Sequence, residues 1–409
     1  MKRTLCSLLA ACALCVQAAP FDTIYNYRVF DHRVVNFSET DHPGSICQEA
    51  DGTLVIGNGR IVLRKVCLPR TKRDARATIS VSLRSHGDRW DKTGSVFLIP
   101  CKQAVSMISV ARGLATYPAL ADHGTENFPG IVAVAPDYAP CIELMRFMTP
   151  FGVGFYTPRD STSRQHVQPV WLDTYADSVE WRDDVTDRLS LLQDSCWVGL
   201  AIDSWTAEGY EASVCLTLEE SRVKGDKATT QHVVPLVNTI SYYQQDYCDL
   251  FARRALNVAF KMPAKARRAM LYYVASGHGG HSGGDEFVPC ENVISLDAQE
   301  VFRFTPWRTD CYTFRRYNPS TGVWLQEREA AYITSQGTRG QKRIEETLAS
   351  SDLSRSGWCP GSQVMPVRIP LYNVTPGTHI LSIAIPNAQP IDGDLLNHWL
   401  VSAWITWEE

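Results

Sequence analysis

Hydrophobic and polar residues alternate with a period of two over many short segments of this 409-residue chain. Such alternation places successive side chains on opposite faces of an extended strand and is typical of antiparallel sheets. The clearest segments are residues 79–83, 96–99, 213–218, 367–369, 380–385 and 399–407. The pattern therefore predicts an all-β protein built as sandwiches.

Helical periodicity is scarce, and its best candidate is the segment 325–350. Acids such as Glu327 come early in this segment and bases such as Lys342 come late, an order that the helix dipole favours. Gly337 and Gly340 interrupt the pattern. We therefore expect two short helices, or a helix and a loop, in this part of the chain.

A polar segment without periodicity, residues 220–231, divides the chain, and strand-like alternation resumes at Val233. This segment predicts a linker between two β-sandwich domains, which we place at residues 76–222 and 229–409. Residues 20–75 are then an extension of the first sandwich or a small N-terminal domain.

Residues 1–19 have the features of a secretory signal: a basic start, an apolar run over residues 5–16, and small residues before position 20. The apolar run is too short to span a bilayer, and no other segment is long and apolar enough for a transmembrane helix. Leu-Ala-Ala-Cys at residues 9–12 also matches the pattern before a lipidated cysteine. We expect a secreted or periplasmic protein, with lipid anchoring to the outer membrane through Cys12 as the alternative.

Composition narrows the function further. The chain is 44% hydrophobic and 21% charged, with a net charge of −4, so it has enough apolar residues for a large core. It has no long basic run, which disfavours a nucleic-acid partner. Ten cysteines follow the signal segment, and an even number in an exported chain predicts disulfides. No CxxC spacing points to structural zinc.

Three segments combine acids with aromatic residues, the last two also contain glycine, and strand packing does not explain them: residues 88–92, 202–209 and 276–287. An indole face stacks on the apolar face of a pyranose, and carboxylates bind sugar hydroxyls. The same arrangement provides an acid and a base within one cleft. These segments therefore favour a protein that binds or cleaves carbohydrate.

Seven blocks occur in an order that resembles the peptide-N-glycosidase F family. They are Trp90-Asp91, the run Met-Arg-Phe-Met-Thr-Pro-Phe-Gly-Val-Gly at 145–154, Asp-Val-Thr-Asp at 184–187, Trp205 with Gly209, Ser-Gly-His-Gly at 276–279, Glu286, and Arg-Ser-Gly-Trp-Cys-Pro-Gly at 355–361. The resemblance covers about residues 77–100, 140–222, 232–310 and 350–409. It rests on the order of the blocks, since none is decisive alone.

The resemblance implies a fold of two side-by-side eight-stranded antiparallel jelly rolls with the active site in the cleft between them. It places the catalytic acids at Asp91 and Glu286, with Asp203 as a supporting third acid. It also implies a disulfide between Cys311 and Cys359. The residues it places on the substrate are Arg355, Trp205, Trp358, Lys92, Trp90, His278 and Phe287.

Three positions depart from the family pattern. Asp203 stands where the family has a glutamate, Lys92 where the family example has an arginine, and Phe287 where a tryptophan follows the glutamate. The first departure leaves the role of Asp203 open, because its carboxyl is one methylene closer to the backbone.

The implied reaction is hydrolysis of the amide that joins asparagine to the first N-acetylglucosamine of an N-linked glycan. It releases a glycosylamine and leaves aspartate in the peptide. Asp91 and Glu286 would orient water and substrate or relay protons, which requires a carboxyl with a raised pKa. Arg355 would stabilise the carbonyl oxygen or hold a carboxylate in place. The partners would be N-glycosylated proteins or glycopeptides, bound by a monomer without metal or cofactor.

Two other functions remain open. A lectin-like protein on the same scaffold would use the acids only to bind sugar. A copper-dependent peptide monooxygenase also has paired jelly rolls, and His278 with His281 would be its metal ligands.

The glycines of the segment 276–287 are expected to let the backbone lie close to a bulky ligand.

Overall fold

A computed structural model describes residues 21–120, 128–134, 136–156, 172–223, 231–280, 283–372 and 374–409. The expected signal segment with Cys12, most of the expected linker, and His281 lie outside the described residues. No helix within the described part of the chain has the length and apolar character needed to cross a membrane.

The described residues form two antiparallel β-sandwiches. The strands from the first half are β1 (Phe21–Val35), β2 (Ile46–Gln48), β3 (Leu54–Ile56), β4 (Ile61–Val66), β5 (Ala75–Ser85), β6 (Thr93–Pro100), β7 (Ile142–Met148), β8 (Val179–Asp184), β9 (Cys196–Ile202) and β10 (Tyr210–Ser221). Those from the second half are β11 (Gln231–Asn238), β12 (Leu256–Met262), β13 (Arg267–His278), β14 (Asn292–Leu296), β15 (Gln299–Phe304), β16 (Trp307–Arg308), β17 (Val323–Ile333), β18 (Arg339–Ala349), β19 (Arg355–Ser356), β20 (Gln363–Val364), β21 (Val367–Pro370), β22 (Gly377–Ala384) and β23 (His398–Glu408).

Helices are few and short. In the described part of the first half there are two α-helical turns, α1 (Met107–Ala111) and α2 (Leu189–Leu192). The 3₁₀ turns are Thr186–Arg188, Leu250–Ala252, Cys311–Tyr317 and Ser350–Asp352. The predicted all-β class is confirmed.

The first sandwich packs a four-stranded sheet, in the order β1-β10-β5-β8, against a seven-stranded sheet in the order β2-β3-β4-β9-β6-β7-β20. Strand β5 shows why the alternating sequence forms this layer, because Ile79, Val81 and Leu83 are buried while the residues between them are partly exposed. They share one core with Val96 and Leu98 of β6. Residues 21–66 supply β1 to one sheet and β2, β3 and β4 to the other.

The second sandwich has two four-stranded sheets, in the orders β11-β23-β13-β21 and β12-β22-β14-β15. Leu271 and Val401 of the first sheet share a core with Ile294 and Ile383 of the second. Among the described residues, this sandwich has the eight strands that we expected. The first sandwich differs from the expectation, because its described sheets have four and seven strands, one of which is β20 from the second half of the chain.

A buried arginine joins the two sandwiches. Arg146 of β7 is 1% exposed and donates from Nη1 to the Leu400 carbonyl at 2.6 Å and from Nη2 to Ser402 Oγ at 3.1 Å, both on β23. Its Nε donates to the Glu143 carboxylate at 3.1 Å. A buried charge with this many partners favours one arrangement of the two halves, because any displacement would leave the guanidinium unsatisfied.

The expected helices at residues 325–350 are wrong, because this segment forms the antiparallel hairpin β17–β18. The charges that suggested a helix pair across the strands, as in Arg328 with Glu346 and Arg343 with Glu327. Most of the hairpin is exposed, so little apolar periodicity was available to distinguish the two structures. Gly337, with φ of +76°, lies in the hairpin loop, where a glycine has little conformational cost.

Among the described residues, one pair of cysteines forms a disulfide. The expected disulfide between Cys311 and Cys359 is confirmed, with a Cα–Cα distance of 5.1 Å. The even cysteine count suggested more bridges, and this was wrong for the described residues, where the other cysteines are reduced. Cys196, Cys248 and Cys290 are buried and belong to the hydrophobic cores, where a free thiol packs as a small apolar group.

We expect the double substitution Cys311→Ser and Cys359→Ser to lower the free energy of unfolding. The bridge closes a sequence separation of 48 residues, for which loop-closure entropy gives about 4 kcal/mol. Thermal unfolding under non-reducing conditions measures the effect. Cys67→Ser, at an exposed reduced cysteine, is the control, and a double variant that melts with the wild type would contradict the expectation.

Candidate active site

The turn that carries Asp91 joins β5 to β6 and is held by a buried carboxylate. Asp88 is 1% exposed, and its Oδ1 accepts from the Trp90 amide at 3.0 Å while its Oδ2 accepts from Ser204 Oγ at 2.8 Å. The Asp88 amide donates to the Gly209 carbonyl at 3.2 Å. Asp88 therefore fastens the Asp91 turn to the neighbouring turn after β9.

The backbone on both sides of Asp91 is also fixed. Thr149 Oγ1 donates to the Trp90 carbonyl at 3.0 Å and accepts from the Lys92 amide at 2.7 Å. The buried Tyr210 hydroxyl donates to the same Trp90 carbonyl. Because both neighbouring peptides are held, the Asp91 carboxylate is aimed in one direction.

Glu286 lies in the turn that follows β13, and glycines shape this turn. A Cβ at Gly277 would lie 2.6 Å from the Asp285 carbonyl oxygen, and one at Gly284 would lie 2.0 Å from the Gly279 carbonyl oxygen. These glycines therefore permit close packing of backbone on backbone. For Gly277 and Gly284, our expectation that glycine makes room for a ligand was wrong.

Arg355 connects the two acids. Its Nε donates to Glu286 Oε1 at 2.8 Å, and its Nη2 lies 3.6 Å from Asp91 Oδ2. Nη1 donates to the carbonyls of Ser350 and Leu353 at 2.8 and 3.0 Å. The guanidinium is 1% exposed. Two acids 195 positions apart by their residue numbers, one from each half of the chain, therefore meet on one buried cation.

Aromatic rings and a hydrogen bond position this arginine. Its guanidinium carbon lies 5.0 Å from the ring centroid of Phe287 and 4.9 Å from that of Trp358. Trp358 Nε1 donates to the Gly277 carbonyl at 2.9 Å. The next residue, Cys359, forms the disulfide with Cys311. Trp358 is buried, so it supports the site from below and is not available to stack on a sugar.

Burial raises the pKa of Asp91 to about 7, the Arg355 guanidinium opposes this rise, and the neighbouring Glu286 adds to it. The rise is expected when two acids share one cation in a site with little water. A carboxyl with a pKa near neutrality exchanges protons readily at physiological pH, which is a property of catalytic acids and bases.

Asp203 belongs to a separate cluster. Its Oδ1 accepts from Arg60 Nη1 at 3.1 Å and from Trp205 Nε1 at 3.0 Å, and its Oδ2 accepts from the Tyr247 hydroxyl at 2.8 Å. Its amide donates to the Thr93 carbonyl at 2.9 Å. Asp203 therefore lies near the Asp91 strand without contacting the Asp91–Arg355–Glu286 group in the described structure.

The remaining aromatic candidates differ in exposure. Trp90 and Trp205 are 49% and 53% exposed, and both are open to a ligand. His278 is buried between the rings of Trp358 and His398, at centroid distances of 5.4 and 5.3 Å. Its Nε2 is hydrogen-bonded to Ser276 Oγ at 2.8 Å.

Burial, together with nearby His398 and Arg146, holds the pKa of His278 well below its usual value. Within the described residues, no three His, Cys, Asp or Glu side chains form a group suited to a metal ion. The contacts of His278 are those of a neutral ring that packs beneath the site.

Several contributing residues were missed from the sequence. Thr149 lies inside the recognised 145–154 block, and its β-branched polar side chain beside a proline was a usable signal. Arg60, Tyr247 and His398 carried no local signal, because they reach the site from strands and loops that are distant in the chain. Only the fold reveals them.

Comparison with known proteins places this fold in one class. The two sandwiches are those of a two-domain jelly-roll protein. The family model for peptide-N-glycosidase F, N terminal, matches residues 26–218, and that for peptide-N-glycosidase F, C terminal, matches residues 246–406. The chain belongs to the peptide-N-glycosidase F family.

Solved structures agree with this assignment. PNGF-II is 31% identical, with a TM-score of 0.77 over 95% of this chain and 66% of that one. In a second crystal form the TM-score is 0.76, over 95% and 65% of the two chains. The chain thus spans just under two thirds of PNGF-II.

PNGase F from Flavobacterium meningosepticum, described as a glycosylasparaginase, is 16% identical with a TM-score of 0.57, over 94% of this chain and 96% of that one. At this identity the likeness concerns the fold, and it confirms the expected pair of jelly rolls. No curated protein matched the sequence significantly.

We expect Asp91→Asn to stabilise the fold at high pH. The folded state raises the pKa of Asp91 from its ordinary 3.8 to about 7. Its contribution to stability is therefore present below about pH 3.8 and lost as the pH rises through 7. The variant should have a higher Tm than the wild type at pH 8 and a similar Tm near pH 4. Asp31→Asn, at a half-exposed acid of β1, is the control, and a lower Tm of Asp91→Asn at pH 8 would contradict the expectation.

Proposed function

We propose that this protein hydrolyses the amide bond between asparagine and the first N-acetylglucosamine of N-linked glycans. The observation that carries the proposal is the convergence of Asp91, from the first half of the chain, and Glu286, from the second half, on Arg355. Family membership supports the same reaction class.

Asp91 is the proposed general base. With its pKa near 7, its ionised form takes a proton from water while the water oxygen bonds to the amide carbonyl carbon. Collapse of the tetrahedral intermediate breaks the carbon–nitrogen bond, and the proton passes to the departing nitrogen. The products are a glycosylamine and an aspartyl peptide.

Arg355 and Glu286 act in this proposal as an oriented pair. The Nε of Arg355 is committed to Glu286, and its Nη1 to two main-chain carbonyls. These bonds favour a role in holding the carboxylates over direct stabilisation of an oxyanion. Glu286 then orients the substrate amide or the attacking water.

The substrate would lie along the cleft with its first sugars on exposed aromatic rings. Trp90 precedes Asp91, and the Trp205 side chain shares a carboxylate with Arg60. The indole faces that remain open suit the apolar face of a pyranose. N-glycosylated proteins or glycopeptides are the proposed partners.

A raised carboxyl pKa favours this proposal over a lectin. A site that only binds hydroxyl groups gains from fully ionised acceptors, whereas the burial of Asp91 disfavours its ionised form. Such a penalty is useful for proton transfer near neutral pH and has no use in simple binding.

Incubation with a denatured N-glycoprotein, followed by mass spectrometry of the former attachment site, tests the reaction. We expect conversion of asparagine to aspartate and release of the glycan with an intact chitobiose. Asp91→Asn should reduce kcat by at least about a hundredfold, as for loss of a general base, while binding of the glycopeptide remains. Asp31→Asn should keep full turnover. Residual N-acetylglucosamine on the peptide would indicate an endoglycosidase instead, and an absence of any cleavage would favour the lectin.

The pH dependence should report Asp91. We expect kcat/KM to rise with pH through about 7, because the ionised base is required. In Glu286→Gln we expect the midpoint of the residual kcat/KM profile to move to lower pH, because the removed negative charge is one that raises the pKa of Asp91. The measurement is kcat/KM from pH 5 to 9 at high enzyme concentration. A midpoint that stays in place or moves upward would argue against Asp91 as the base.

A further inference from the structure

The N-terminal segment reaches the Asp203 cluster through two main-chain contacts. The Phe37 amide donates to the Thr206 carbonyl at 2.8 Å, and the Ile202 amide donates to the Arg60 carbonyl at 3.1 Å. Arg60 lies directly before β4, and Phe37 follows β1. Both residues border the turn that carries Trp205, and both lie within residues 26–218, which the N-terminal family model matches.

Arg60 makes two different contacts with this turn. Its guanidinium carbon lies 3.9 Å from the ring centroid of Trp205. Its Nη1 lies 3.1 Å from Asp203 Oδ1, the same oxygen that accepts from Trp205 Nε1 at 3.0 Å. The Arg60 side chain is 15% exposed. It therefore stacks on the indole and pairs with the acid that holds the edge of that indole.

Two further side chains complete the group. The Phe37 ring centroid lies 5.2 Å from that of Trp205. The Tyr247 hydroxyl, from the second half of the chain, donates to Asp203 Oδ2 at 2.8 Å. Trp205 is thus restrained by both halves although it is 53% exposed. An exposed indole held this firmly loses little conformational freedom when a ligand stacks on it.

We propose that Arg60 is a positioning residue that fixes the Trp205 indole as a platform for a pyranose of the glycan. The N-terminal segment thereby contributes to affinity for the sugar, although it carries none of the reacting groups. This inference rests on the proposed function, since the platform would hold the sugar of the scissile linkage or its neighbour.

The chemistry of the side chain supports this role. A planar guanidinium stacks on an aromatic face and pairs with a carboxylate at the same time, whereas an ammonium group is a compact charge that does not stack in this way. Arg60 is not part of a hydrophobic core cluster. Its removal should therefore release the indole without opening a cavity in the fold.

The test is the separate measurement of KM and kcat for an N-glycopeptide with the full chain and its variants. Arg60→Met keeps the length of the side chain and removes its charge and planarity. We expect KM to rise roughly tenfold, the scale of one stacking contact, with kcat within about twofold. Arg60→Lys should give an intermediate KM, because it keeps only the ion pair.

A double-variant cycle makes the test specific. Trp205→Ala should raise KM by a similar or larger factor, and combining it with Arg60→Met should add little, because both changes remove the same platform. Arg64→Met, at an arginine of β4 whose side chain bonds to Asp51 and Thr53, is the matched control and should leave KM unchanged.

Three results would overturn the proposal: an unchanged KM in a folded Arg60→Met variant, a fall in kcat alone, or fully additive effects of Arg60→Met and Trp205→Ala. Should Arg60→Met not fold, Arg60→Lys decides, because an unchanged KM in that variant excludes the stacking role.

A binding measurement separates this proposal from the proposed function. The same glycopeptide is titrated into Asp91→Asn and into the double variant Asp91→Asn with Arg60→Met, and we expect the double variant to bind more weakly whether or not the wild type cleaves. If the double variant binds more weakly and the wild type does not cleave, the amidase is rejected and the platform is retained. If the wild type cleaves and the two variants bind equally well, the platform is rejected and the amidase is retained.

Discussion

The pairing of Arg355 with Glu286 and Asp91 is the interaction on which the site depends. A buried guanidinium needs partners for its donors, and here the main chain of residues 350–353 satisfies one side while the carboxylates satisfy the other. Trp358 and the disulfide at Cys359 hold the arginine turn against the second sandwich. Arg355 and Glu286 of the second half thereby meet Asp91 of the first half on one buried cation.

The acid with the shifted pKa and the exposed indole belong to two different clusters of side chains. The group at Arg355 is buried, and burial shifts the pKa of Asp91 toward neutrality. The cluster at Asp203 is partly open and holds an exposed indole. The two clusters are tied by the Asp203 amide, which bonds to Thr93 at the start of the strand after Asp91. Displacement of either turn would therefore disturb the other.

The sequence was informative where function depends on short ordered blocks. The meeting of Asp91, Glu286 and Arg355 and the disulfide between Cys311 and Cys359 could be predicted, because each residue belongs to such a block or is implied by one. The hairpin at 323–349 was not predictable, since its exposed charges satisfy a helix and a strand equally well. The Arg60 contact was also invisible, because a stack between residues 145 positions apart leaves no local pattern.

Strand β20 has a consequence for how the chain is assembled. It comes from residues 363–364 yet forms the edge of the first sheet beside β7, where Arg146 also reaches into β23. The first sandwich is consequently incomplete until most of the second has been synthesised. A ribosome-bound N-terminal half would expose an open strand edge, and Arg146 would lack its acceptors on β23, so the two halves are units of architecture without being independent units of folding.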